Sequence, residues 1–136
     1  MAPVRGLLAI VLAVWMSPVL CADKHGQYRV HAVAKVAGCA GLNRAVVKAK
    51  DENDWGELYG YSLYTMGYLT GVSRLAPNTY DIAGGKNSKN VMLWLRGYCS
   101  DHPLDSFDRA LLLLTGELYP ARTREVPRQI SPTVAK

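Results

Sequence analysis

Three sets of side chains in this sequence could do chemistry: the cysteines Cys21, Cys39 and Cys99, the histidines His25, His31 and His102, and the lysine of the run Gly84-Gly85-Lys86-Asn87-Ser88. That run has the outline of a phosphate-binding loop. Such a loop needs a glycine five positions before the Gly-Lys pair and Ser or Thr directly after the lysine, so that backbone amides and a hydroxyl reach phosphate and metal. Tyr80 and Asn87 occupy those places, so the run is read as a turn leading into a helix cap. No histidine stands with a second ligand at the helical spacing that zinc sites use. Asp101-His102-Pro103 is the one candidate cluster, and it reads as a helix-ending turn. A nucleophile with its base is equally hard to assemble, because there is no Gly-x-Ser-x-Gly and the carboxylates are scattered. The expectation is a protein that is not an enzyme and takes no metal or cofactor.

The cysteines have a different use, which depends on compartment. Arg5 precedes the apolar run from Gly6 to Met16, followed by Ser17-Pro18 and Val19-Leu20-Cys21-Ala22. This is the pattern of a secretory signal peptide, assigned to residues 1–22. Its apolar run is roughly half of the ~20 residues that a membrane-spanning helix needs. The expectation is therefore cleavage after Cys21 or Ala22, a periplasmic or secreted product and no stable membrane insertion; an uncleaved anchor is the alternative. Lipidation of Cys21 is a further alternative, disfavoured because Leu20 stands where processing prefers a small residue. Cleavage leaves Cys39 and Cys99 in an oxidising compartment, where an even count is read as a bridge rather than as two buried thiols. Closing a loop of 60 positions (99 − 39) would stabilise by ~4 kcal/mol in the chain-entropy model.

Charge narrows the class of partner. The formal net charge is +5, but Asp23 to Leu118 holds 11 Lys/Arg against 10 Asp/Glu, while Tyr119 to Lys136 holds 4 against 1. The basicity lies in the tail. The interior lacks the basic stripe interleaved with aromatics that a nucleic-acid surface needs, so no nucleic-acid partner is expected. A hydrophobic content of 49% suits one helical domain, residues 23–120, followed by a disordered basic tail, 121–136.

Hydrophobic spacing supplies the elements. Leu42, Val46 and Val47 predict a short first helix from Gly41 to Lys50, ended by Asp51-Glu52-Asn53-Asp54. Leu58, Tyr61, Thr65, Tyr68, Leu69, Val72 and Leu75 form one face of a second, longer helix from Trp55 to Leu75, with Asp54 as N-cap. Gly67 and Gly71 within it share a face and predict close approach by another helix. A loop from Ala76 to Asn87 leads to a third helix capped by Ser88, with Val91, Trp94, Leu95 and Tyr98 as its stripe and Cys99 one residue beyond. A fourth, capped by Asp105 or Ser106, buries Phe107, Ala110, Leu111, Leu114 and Leu118 before Pro120. The fold class is all-α, a compact bundle of about four helices with one disulfide.

The second helix carries Tyr59, Tyr61, Tyr64 and Tyr68, which cannot all be buried on one face. Two readings stand: rim packing around a small core, or a tyrosine-rich partner surface made of Tyr64, Tyr68 and the loop residues Tyr80 and Asp81. These four are the candidate partner-binding residues.

The layout of Cys39 before a helix, Gly67-Tyr68-Leu69-Thr70-Gly71, Tyr98 to Pro103 and an Ala110-centred last helix resembles the small periplasmic helical proteins that include the Tai-type immunity proteins of type VI secretion, and more distantly the HdeA-like acid-stress chaperones. The resemblance spans roughly Cys39 to Pro120. It departs at Tyr119-Pro120-Ala121, where Tai-type proteins often carry a cysteine after the final proline. It implies a protein-binding function, of the immunity type that neutralises a toxin or enzyme, with periplasmic acid-stress chaperoning as the alternative.

Overall fold

In the computed structural model, residues 29–31 and 38–128 are described; the expected signal peptide with Cys21 and the last eight residues lie outside that range. Four helices follow in order: α1 (Cys39–Asp51), α2 (Gly56–Leu75), α3 (Ser88–Asp101) and α4 (Phe107–Leu118), and the last runs into a 3-10 turn, Tyr119–Ala121. Among the described residues there is no strand, only two isolated bridges, Gly38 to Ser106 and Asp81 to Thr123. The all-α, four-helix expectation holds.

Local chemistry explains where each helix begins. α1 starts two residues earlier than the spacing predicts, because extended Gly38 offers its carbonyl to the amides of Gly41 and Leu42. At α2 the cap position belongs to Trp55, and Asp54 sits one residue outside it, its carboxylate accepting from the Gly56 amide at 3.1 Å. At α3 the cap is Asn87 rather than Ser88, its side chain accepting from the Asn90 amide at 3.0 Å. Ser106 caps α4 as predicted, accepting from the Arg109 amide at 3.1 Å.

Each helix turns a stripe of roughly every fourth residue inward: Leu42, Ala45 and Ala49 from α1, Tyr61, Thr65 and Leu69 from α2, Val91, Leu95 and Cys99 from α3, and the five predicted residues of α4. Tyr61 and Phe107 meet edge-to-face at 4.8 Å, an arrangement worth about 0.5–1.5 kcal/mol beyond the area it buries. The buried Thr65 hydroxyl donates back to the Tyr61 carbonyl at 2.8 Å, so it carries no unpaired polar group into the core. Cys39 and Cys99, both fully buried, are joined with sulfurs 2.01 Å and Cα atoms 4.7 Å apart.

Three expectations are corrected. Leu75 is 79% exposed, because the inward row Tyr61, Thr65 and Leu69 runs on to half-buried Ser73, whose hydroxyl accepts from the Ile82 amide at 3.0 Å. Gly67 and Gly71 have no neighbour within 4 Å of where a Cβ would stand; two residues from the inward stripe, they lie about 200° around the helix from it. The close approach occurs instead at Gly41, where a Cβ would meet the Tyr61 hydroxyl, which donates to the Gly38 carbonyl at 3.0 Å. Finally, Pro120 does not end the ordered chain. Thr123 exchanges backbone hydrogen bonds with Asp81 (2.9 and 3.0 Å) and accepts from the Tyr80 amide at 2.8 Å, and Arg122 lies over the Tyr119 ring at 3.8 Å. The start of the expected tail is thus fastened to the loop between α2 and α3.

Candidate docking groove

The four tyrosine-surface candidates divide into structural and free positions. Tyr64 is half-buried, its ring 6.3 Å from that of Phe107, and burial raises its pKa above the ordinary tyrosine value. Tyr68 is half-buried too, its hydroxyl accepting at 3.5 Å from Thr115 of α4. Asp81 spends both carboxylate oxygens on the loop, accepting from the Ala83 and Gly85 amides at 2.9 Å each. That loop turns through Gly84, at a φ of 60°, where a Cβ would also run into the Ala121 carbonyl. Of the four, Tyr80 alone is exposed.

A second polar cluster stiffens α3 against α4. Trp94, Tyr98 and His102, four apart, stack in series with centroids 5.6 and 4.5 Å apart. The Trp94 indole donates to Glu117 at 2.8 Å, and the Tyr98 hydroxyl donates to Asp105. That hydrogen bond to a carboxylate, followed by burial, raises the Tyr98 pKa. These contacts lock the three rings and both carboxylates into the packing of α3 against α4 and the loop before it. Among the described residues no three His, Cys, Asp or Glu side chains are grouped to hold a metal, and no helix is long and apolar enough to cross a membrane.

The open face lies between α2 and α3. Trp55, Leu58, Tyr59 and Ser62 form one wall, and Lys89, Met92, Leu93 and Arg96 form the other, around a cleft of about 280 Å³. Both walls repeat at i, i+3, i+4 and i+7, the spacing of side chains sharing one helix face. Trp55 is 56% exposed, Tyr59 63% and Leu93 50%, so these are large apolar groups left in water. Trp55 is held in place by Asn53, which adopts the left-handed conformation (φ 54°) and accepts from the indole at 2.9 Å. The start of α2 is fixed in turn by Lys48 of α1, which donates to Glu57 at 2.9 Å; this bond raises the Lys48 pKa.

The chain matches no known protein family, no curated protein and no solved structure.

Beyond Leu93 and Arg96 the surface dips again, into a wider depression of about 510 Å³ lined also by Asn43, Val46, Gly97 and Ser100. Asn43 is fixed there by donating to the Cys99 carbonyl at 2.8 Å. Arg96 therefore borders an apolar cleft on one side and a polar depression on the other. Spacing places Leu58 on the core face and leaves the rest of this groove unassigned. The available signal was the second apolar row, Trp55, Tyr59 and Leu63, running beside the core row on the same helix.

Proposed function

We propose that the chain is an extracytoplasmic, non-catalytic protein-binding module of the immunity type, which neutralises a toxin or enzyme by covering it and engages its partner through the groove between α2 and α3. The observation that carries this reading is the set Trp55, Tyr59 and Leu93, large apolar side chains exposed around one cleft of a small domain. Exposed apolar surface of this kind marks interaction sites, and tryptophan and tyrosine are the side chains that most often anchor them. The signal-peptide pattern supports the compartment, and the buried bridge suits it. The test is challenge of producing cells with secreted toxins encoded beside the gene. Protection is expected, and it should be lost in the Tyr59→Glu/Leu93→Glu variant while its helical circular dichroism is retained. Survival that does not depend on this protein overturns the reading.

A second reading, acid-stress chaperoning, draws on a different observation. Three side-chain ties end on carboxylates: Lys48 on Glu57, Trp94 on Glu117 and, at the end of α3, Tyr98 on Asp105. Protonation would weaken all three and release apolar helix faces. Loss of near-ultraviolet dichroism with suppressed aggregation of a client protein at about pH 2, below the ordinary carboxylate range, is its expected signature. A chain that stays folded and inert there rejects it.

A further inference from the structure

The geometry points to an acidic amphipathic helix as the partner element in the groove, its apolar side chains seated between α2 and α3 and its carboxylates on Lys89 and Arg96. This inference rests on the protein-binding reading above and specifies the chemistry of what is bound.

Charge gives the sign. The eight residues that line the cleft include two cations and no Asp or Glu. Lys48 and Arg109 each have a carboxylate partner, and Arg122 is held by carbonyls and a ring. The side chains of Lys89 and Arg96 have neither an ion-pair nor a hydrogen-bond partner among the described residues. A segment that fills the cleft thus meets two cations that no described residue pairs, and acidic side chains supply the complement.

Spacing gives the shape. Lys89 and Arg96 are seven residues apart on one helix, about 10.5 Å along its axis, and a helix bearing acids seven apart presents them at the same interval. No strand occurs among the described residues, so strand addition has no edge to extend. Two adjoining helices with matched i, i+3, i+4, i+7 walls instead offer the helix-in-groove mode of recognition. The cleft, about 280 Å³ in volume, has room for a few side chains of such a helix.

A second copy of this chain is a poorer occupant. A two-fold contact sets the same patch against itself, which would bring Lys89 and Arg96 towards their own counterparts with no carboxylate from either lining.

The experiment uses the disulfide-bonded protein and a peptide of about eighteen residues, long enough to hold a helix in water, with leucines at i, i+3, i+4 and i+7 flanked by glutamates seven apart. Its counterpart carries lysine at every glutamate. Amide shifts in nuclear magnetic resonance and Trp55 fluorescence report binding. The acidic peptide should perturb Trp55, Tyr59, Leu93 and Arg96, bind about tenfold more tightly than the lysine peptide, as two rim ion pairs and their reversal imply, and weaken as salt rises. In the Lys89→Glu/Arg96→Glu variant the preference should reverse, so that improved binding of the lysine peptide also shows the variant to be folded. Equal binding of both peptides, perturbation elsewhere on the protein, tighter binding of a single-stranded oligonucleotide, or self-association abolished by Leu93→Glu would each overturn the inference. If toxin protection persists and depends on Leu93 while the peptides do not discriminate, the acidic-helix inference alone fails.

Discussion

α3 has two sides made from alternating positions of one short sequence, and they are finished in opposite ways. Val91, Leu95 and Cys99 are all but sealed from solvent, whereas Lys89, Met92, Leu93 and Arg96 line an open cleft. Both rows recur every three to four residues, so periodicity alone does not distinguish a row that another helix covers from one that nothing covers. What separates them is the partner. The inner row lies in the core and is anchored by the bridge, while the outer row borders α2 across the open cleft and α1 across the neighbouring depression. Stability should depend on the first and recognition on the second.

Substitutions along this one helix can break that contrast. The largest effect should come from removing the bridge with Cys39→Ala/Cys99→Ala, about 4 kcal/mol in the chain-entropy model, read from urea unfolding under non-reducing conditions; a loss below 1 kcal/mol would show the inner row to be held by packing alone. Leu95→Ala, at a position with no solvent exposure, should cost about 2–5 kcal/mol through lost burial and the cavity left behind. Tyr98, in the middle of the ring stack on α3, should show itself in alkali. Its folded pKa lies above the ordinary 10.0, so the stability it contributes is complete below that value and disappears as pH rises through the folded pKa. Unfolding midpoints measured from pH 9 to 11 should therefore fall less steeply for Tyr98→Phe than for the parent. The smallest effect on stability should be Leu93→Ala, within about 0.5 kcal/mol, although it removes the middle of the groove wall; a loss comparable to that of Leu95→Ala would abolish the distinction.

The inner half of this contrast was legible in the sequence. The five-residue stripe of α4 and the pairing of Cys39 with Cys99 follow from apolar spacing and cysteine count, and both appear as expected. The outer half was harder to read because Trp55, Tyr59 and Leu93 simply broaden an apolar face, and breadth does not reveal which part a neighbour will cover. The clasp between Asp81 and Thr123 left still less trace, since it consists of backbone hydrogen bonds, which any residue but proline can make in both directions. Gly67 and Gly71 misled for the converse reason: a shared helix face is a local property, but a close approach requires that the face point at something, and this one points at open space. Of Tyr59, Tyr61, Tyr64 and Tyr68, which cannot all be buried on one face, Tyr59 is the exposed one, whereas the partner-surface candidates Tyr64 and Tyr68 are half-buried beside Phe107 and Thr115.

The bond between Cys39 and Cys99 has a topological consequence. It closes α1, α2, the connection through Gly84-Gly85 and α3 into a macrocycle and leaves α4 as a pendant arm. A protease nick in the exposed stretch from Gly85 to Asn87 would open the ring without freeing a fragment. The two pieces would migrate as one species until a thiol reductant parted them.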